Sequence, residues 1–308
     1  VSFTVCILGS GAALPTGKRN PTAQYIECNN RHILIDCGEG TQLQLRKFGI
    51  KLQRITHILI SHLHGDHFFG LPGLISSMHL LGRTRGLTVY GPPELQQLIS
   101  SFIEIGGHKL CFDVQFVKLE TTSVQTIFED RLIEIKSFAL KHRIPTWGYR
   151  IEEKLKPLHL NAEAIKEAGL LLEDLPKLKA GLDVEKDGRI LKNKNFTTAP
   201  SPSLHYVYCS DTKPWVGYES AIQHAHLMYH EATFTDQHAA RAKQTYHSTA
   251  KQAAEMALKM KVKHLVIGHF SSRYESSEQH LIEAKSVFQQ TIAAEDGDWI
   301  DLEKLSHF

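Results

Sequence analysis

Several common sources of structure are scarce in this chain. Its 308 residues include only five cysteines, and no two of Cys6, Cys28, Cys37, Cys111 and Cys209 stand in Cys-x-x-Cys spacing. An odd count with that spacing argues against a disulfide framework and against a thiolate zinc site. No apolar run approaches the ~20 residues that cross a bilayer as a helix, so no membrane partner is expected. Residues 1–8 read as a strand and lack the charged start and long apolar core of a signal peptide. The cytoplasm is therefore the expected compartment. An excess of one charge is missing too. The formal net charge is +2, so a polyanion would have to be met by local basic patches. No solenoid-type repeat is present. What the chain does have is histidine, 19 residues of it, and neutral imidazole is the commonest metal ligand among side chains.

The apolar pattern places those histidines. Residues 3–8, 23–28 and 32–36 read as short strands, 41–48 as a helix, and the β-branched run 55–60 as a buried strand. Helical patterns follow at 69–81 and 93–103, with strands at 87–90, 114–118, 132–140 and 147–151. From 152 to 195 the texture changes. This stretch is rich in Lys, Glu, Leu and Gly, has few β-branched residues, and carries Pro157, Pro176 and Gly181. It is expected to be an insertion with one short helix near 162–169. The core pattern resumes near Leu204, with strands at 205–209, 226–230 and 264–267 and helices at 248–260 and 277–291. This order predicts one layered α/β domain over residues 1–308, with sheets packed inside helices.

The strongest chemical signal is His62-Leu63-His64-Gly65-Asp66-His67, directly after the buried run 55–60. Zinc takes imidazole and carboxylate ligands at roughly 2.0–2.2 Å. On a loop, alternate side chains can converge on one ion while the adjacent Asp-His pair turns to a second. Gly65 relaxes the backbone where the chain must turn. The competing reading is a solvated polar loop with incidental histidines. His142, Asp211 and His269 each stand just past an apolar run, where active-site groups of α/β proteins gather. Any one of them alone is more often structural; together they are candidate ligands. Gly9-x-Gly11 lacks the third glycine of a dinucleotide site, Leu14 standing in its place, so a tight turn is the better reading. Ser248 and Thr249 precede a clear helix and read as its N-cap, which disfavours Ser248 as a nucleophile.

Taken in order, these motifs and several more resemble the ribonuclease Z branch of the metallo-β-lactamase superfamily, from residue 5 to about residue 290. The further matches are Leu8-Gly9-Ser10-Gly11, Lys18-Arg19-Asn20 (its Lys one place later than usual), Asp36-Cys37-Gly38-Glu39-Gly40-Thr41-Gln42 and Ser210-Asp211-Thr212. His230-Glu231-Ala232-Thr233-Phe234, His247-Ser248-Thr249 and Gly268-His269-Phe270-Ser271-Ser272-Arg273-Tyr274 follow in order.

The resemblance implies an αββα sandwich with an inserted flexible arm at 152–195 that binds tRNA. It also implies two Zn2+ per subunit, with Mn2+ or another divalent metal as a substitute. One ion would use His62, His64 and His142, the second Asp66, His67 and His269, with Asp211 bridging both. Asp66 would serve as general base, and His247, oriented by Glu231, would protonate the leaving oxygen. A supporting role beside the helix cap is the alternative for His247. Lys18, Arg19, Asn20, Ser271 and Arg273 would contact the substrate, against the alternative of ordinary surface polarity. The implied activity is cleavage of the 3′ trailer of precursor tRNA by metal-activated water, leaving a 3′-hydroxyl, in a homodimer. Two rivals stand beside it. One is a phosphodiesterase or thioester hydrolase of the same fold acting on a small molecule; the other is a metal-free RNA-holding homologue.

Overall fold

The central strands of this chain are covered on both faces, and the sequence shows why. In the computed structural model, which describes residues 3–107 and 109–305, Phe3, Val5 and Ile7 of the strand Phe3–Gly9 enter one core while Cys6 and Leu8 enter another. Successive side chains of a strand point to opposite faces, so a strand that is apolar at every position needs a partner layer on each side. The strand His205–Cys209 does the same, with Tyr206 and Tyr208 on one face and Val207 and Cys209 on the other.

The chain divides into two compact units, one formed by Val1–Glu152 and Leu204–Phe308, the other by Glu153–Ser203. The first unit carries two seven-stranded sheets. One runs in the order Trp299–Asp301, Phe3–Gly9, Ala23–Cys28, Arg31–Ile35, His57–Leu59, Leu87–Gly91, Val114–Lys118. Its first four strands pair antiparallel and the rest parallel. The other runs Thr291–Ala293, His264–Gly268, Leu227–Glu231, His205–Cys209, Trp147–Glu153, Ile133–Ala139, Gln125–Glu129. Its first four strands are parallel.

Ile7, Ile26 and Ile33 of one sheet meet Ile135, Tyr149 and Tyr206 of the other in a central core. Each fully buried aliphatic side chain of this layer contributes roughly 1.5–3 kcal/mol relative to exposure. The outer face of the first sheet is covered by Leu45, Leu74, Met78 and Ile99 from the helices Thr41–Lys47, Leu71–Leu80 and Leu95–Ile105. The outer face of the second is covered by Ala253, Ala254 and Ala257 of Ala250–Lys259 and by Ala284 of Glu278–Lys285. Small alanines let that helix lie close to the sheet. Its start is set by Thr249, whose hydroxyl accepts from the Gln252 amide while the Gln252 side chain accepts from the Thr249 amide. The result is the helix–sheet–sheet–helix layering the resemblance implies.

Several elements differ from the sequence reading, among them the unforeseen helix Ala239–Thr245. The last helix stops at Lys285, and Thr291–Ala293 instead pairs parallel with Leu265–Ile267. An open sheet edge outweighed the helical spacing there, and β-branched Thr291 and Ile292 suit it. Gln125–Glu129 and Trp299–Asp301 are strands the pattern did not reveal. Both lie at sheet edges, where mixed polarity hides the alternation that marks interior strands.

The second unit has a small core of Leu178, Val184 and Phe196. It holds the helices Ala162–Glu167 and Leu175–Lys179 and two short strand pairs. It extends past residue 195 because Phe196 belongs to its core and Thr197–Thr198 pairs with His159–Leu160. No helix among the described residues is long and apolar enough to cross a membrane.

Candidate metal centre

The parallel strands deliver their chemistry at one end. Asp211 follows His205–Cys209, Glu231 closes Leu227–Glu231, and His269 follows His264–Gly268, the carboxyl ends at which open α/β sheets build sites. From the other sheet, the chain leaves His57–Leu59 and passes through His62 and His64 into the short helix Gly65–Phe68, which carries Asp66 and His67. Gly38 packs against the carbonyl of Asp66, so closely that a Cβ there would collide with it. His269 at φ 60, Asp36 at φ 55 and Tyr246 at φ 61 all occupy the left-handed region, a cost of about 1–2 kcal/mol per non-glycine residue. Such strain persists where the surrounding structure over-determines it, and it gathers at functional sites.

Two ligand clusters result, and Asp211 faces both. Its Oδ2 lies 3.6 Å from His62 Nε2 and 3.7 Å from His142 Nε2. His64 Nδ1 completes that group, 3.0 Å from His62 Nε2 and 3.2 Å from His142 Nε2. Asp211 Oδ1 lies 3.1 Å from His269 Nε2 and 3.4 Å from His67 Nε2. Asp66 Oδ2 completes this second group, 3.4 Å from His269 Nε2 and 3.5 Å from His67 Nε2. The ligand atoms of His62, His64, His142 and Asp211 lie within 4.8 Å of one another, as do those of Asp66, His67 and His269 and those of Asp211, His247 and His269.

This donor set fits divalent cations. Asp211 Oδ1 is buried and accepts no hydrogen bond, and imidazole nitrogens converge on one another with too few protons to bond them all. The outward nitrogens of His142 and His67 are already engaged. His142 Nδ1 donates to the Tyr246 carbonyl at 3.0 Å and His67 Nδ1 to Asp36 Oδ2 at 2.8 Å. Each such bond leaves the Nε2 lone pair aimed inward, the arrangement in which histidine binds a metal. Burial and the neighbouring imidazoles push His62 well below its ordinary pKa and keep it neutral. Asp66 Oδ2 accepts from the Ala13 amide at 2.7 Å, a bond that favours the carboxylate form.

His247 stands beside the second cluster, its ring stacked on His269 at 5.6 Å between centroids. Its Nδ1 lies 2.9 Å from Glu231 Oε1. Burial disfavours its charge, but Glu231 and Asp211 outweigh that and push its pKa up to about 9. Ser248 is buried and donates its hydroxyl to the Thr212 carbonyl at 2.7 Å, so it serves the loop and not as a nucleophile. The clusters open into a cleft of about 680 Å³ whose wall includes Asp66, His142, Asp211, His247 and His269.

The substrate candidates divide. Ser271 and Arg273 line this cleft, with the Arg273 guanidinium 5.3 Å above the Phe234 ring. Arg19 does not line it: its side chain is buried, donates to the Tyr274 carbonyl at 3.1 Å and lies over Phe270. Asn20 donates its amide and side chain to Asp296 at 2.7 and 3.0 Å. Both therefore brace the loop instead of reaching outward. Lys18 is exposed beside a separate, smaller pocket.

The sequence reading left other residues without a role. Asp36 accepts from Ser61, His67 and Tyr208, and its place in the Asp36–Gln42 motif was the available signal. Arg143 and Arg241 line the cleft; only the adjacency of Arg143 to His142 hinted at either.

A curated ribonuclease Z of Porphyromonas gingivalis is 44% identical over 302 residues, covering 98% of this chain and 99% of that one. The chain belongs to the ribonuclease Z family. Human tRNase Z, short form, resembles this ribonuclease Z family member with a TM-score of 0.72 at 30% identity, over 97% of this chain and 99% of that one. The metallo-beta-lactamase fold protein YhfI of Bacillus subtilis matches with a TM-score of 0.69 at 15% identity, over 98% and 100% of the two chains. That likeness bears on the fold alone, and the αββα sandwich is the one it shares. The model of the family described as Anti-Pycsar protein Apyc1 matches residues 3–154. The ribonuclease Z relatives run through both halves of the chain and so carry the assignment.

Proposed function

We propose that this chain is an endoribonuclease that removes the 3′ trailer of precursor tRNA and leaves a 3′-hydroxyl on the tRNA. Membership of the ribonuclease Z family supports the substrate. The observation that carries the chemistry is the division of Asp211, one oxygen facing His62, His64 and His142 and the other facing Asp66, His67 and His269. We assign these seven residues to two zinc ions, with Mn2+ or another divalent cation able to substitute. Bound there, such ions lower the pKa of water toward about 7 and neutralise charge growing on phosphoryl oxygens.

The chain's own groups do the rest. Asp66 orients the attacking water and takes its proton on a carboxylate oxygen. His247 is charged at neutral pH and hands a proton to the leaving 5′ oxygen from Nε2, the nitrogen that Glu231 does not engage. Arg143, Arg241 and Arg273 on the cleft wall, with Ser271, hold phosphates without reading sequence. Lys18 reaches the RNA from the edge of the site. Glu153–Ser203, with exposed Lys177, Lys179, Lys192 and Lys194, forms the tRNA-binding arm. The working assembly is a cytoplasmic homodimer.

The test is cleavage of a precursor tRNA with a 3′ trailer, beside a chelator-treated control. A single cut next to the acceptor stem, lost with chelator and restored by zinc or manganese, is the expected result. Rapid hydrolysis of a small phosphodiester or thioester with no cut of the RNA would move the protein to another activity of the fold.

A further inference from the structure

One hydroxyl links the proton-donating His247, the carboxylate of Glu231 and the metal-binding candidate His269. Thr233 is buried, and its Oγ1 lies 2.8 Å from Glu231 Oε2, 2.9 Å from His269 Nδ1 and 3.2 Å from His247 Nδ1. A threonine hydroxyl has one proton to give and lone pairs to receive with. Glu231 is fully buried, and its carboxylate can only accept. Its Oε1 already accepts from the Thr212 and Ser248 amides and from His247, and its Oε2 from the Thr233 amide. The hydroxyl proton therefore goes to Glu231 Oε2. Toward His269, Thr233 can then act only as an acceptor. That requires the proton of His269 to sit on Nδ1 and leaves Nε2 bare, facing Asp211 Oδ1 at 3.1 Å.

The same construction occurs on the other side of the site. Ser61 gives its proton to Asp36 Oδ2 at 2.9 Å and lies 3.0 Å from His62 Nδ1. A buried carboxylate, a hydroxyl and an inward-facing imidazole thus form two relays, one from each sheet.

We propose that Thr233 is a positioning residue that sets the tautomer of His269. Through it, the one carboxylate of Glu231 governs both the proton-donating imidazole and a metal-binding one. The inference rests on the metal assignment proposed above. Outer partners of ligating histidines, when removed, typically cost about 10–100-fold in metal affinity.

The experiment is zinc titration of the full-length wild type, Thr233→Val and Thr233→Ser, read as ions bound per chain and affinity at each step. Thermal melting of each protein runs alongside, and 15N NMR of the imidazoles gives the His269 tautomer. Thr233→Val keeps the shape and loses the hydroxyl. It should weaken one of two zinc-binding steps about 10–100-fold, leave the other unchanged, and lose the Nδ1-protonated signal of His269. Thr233→Ser should restore both. Wild-type affinity at both steps in a folded Thr233→Val overturns the inference. So does a Thr233→Ser protein that binds zinc as poorly as Thr233→Val, since the methyl group would then be what matters. A wild type that binds no metal overturns the proposed function instead.

Discussion

In the unit formed by Val1–Glu152 and Leu204–Phe308, most side chains of the candidate metal centre lie inside the protein. His62, His67, Asp36 and Glu231 have no solvent exposure at all, and each is tied by hydrogen bonds to a neighbour. In Glu153–Ser203 the reverse holds. Three residues form its core, while Leu155, Leu172 and Ile190 are 94%, 85% and 66% exposed. Chemistry on a phosphodiester needs nitrogen and oxygen atoms placed to within a fraction of an ångström before substrate arrives. Gripping a polyanion, the role proposed for this unit, needs an exposed surface with reach more than a large core; its lysines are nearly balanced by acidic residues, so single exposed lysines and not an overall charge would make the contacts. The same chain thus spends its burial where position matters and leaves its surface open where contact matters.

The sharpest way to break this comparison is Asp211→Ala. It should lower cleavage by more than about a thousandfold and release most of the bound metal, because both clusters lose a shared oxygen. Retention of two zincs by elemental analysis would remove Asp211 from the bridging role. Next in size, His247→Ala should cost about 10²–10⁴-fold in kcat while metal content stays at the wild-type level. Loss of metal in that variant would make His247 a ligand, as its proximity to Asp211 and His269 permits.

The arm is tested by replacing residues 154–203 with a two-residue Asn-Gly turn between Glu153 and Leu204. Glu152 and His205 are direct partners on neighbouring antiparallel strands, so a tight hairpin can close the gap. Precursor tRNA cleavage should fall by about 10–100-fold, mostly in KM, as expected when phosphate contacts are lost, with hydrolysis of a small phosphodiester unchanged. Equal loss on both substrates would mean that the segment belongs to the catalytic fold.

The smallest effect concerns Glu152, the last residue of the first unit before the arm. Burial opposes its ionisation, but Lys136 at 2.5 Å and Arg150 at 2.6 Å outweigh it and lower the pKa from 4.5 to about 2. A carboxyl depressed on folding stabilises the native state above its unfolded pKa, and the contribution fades as pH falls from 4.5 toward 2. Glu152→Gln should therefore cost about 1–2 kcal/mol at pH 7 and much less near pH 2.5. A melting-temperature difference that does not shrink with acid would show that the ion pair is not its source.

Much of the catalytic unit was legible beforehand. The His62–His67 run carries four candidate ligands within six residues, which a turn into a short helix can converge. Asp211 and His269 announce themselves by standing after apolar strands, and the burial pattern of those strands predicts layers on both sides. Less legible were the edges and supports. Gln125–Glu129 and Trp299–Asp301 are too mixed in polarity to read as strands, and the role of Thr233 depends on two residues that only the fold brings to it. An RNA contact for Arg19 was implied by the resemblance alone; Tyr274 and Phe270, some 250 residues away, turn its side chain inward.

Residue type and local spacing, then, determined by themselves which donors this chain owns and where along it they fall, because metal preference and strand alternation are properties of short segments. Which oxygen of Asp211 faces which cluster, which nitrogen of each histidine is bare, and which arginines face the cleft were decided only when the two sheets packed. Those outcomes depend on hydrogen bonds between residues far apart in the chain, such as His67 with Asp36 and Thr233 with His269, and no local pattern encodes them.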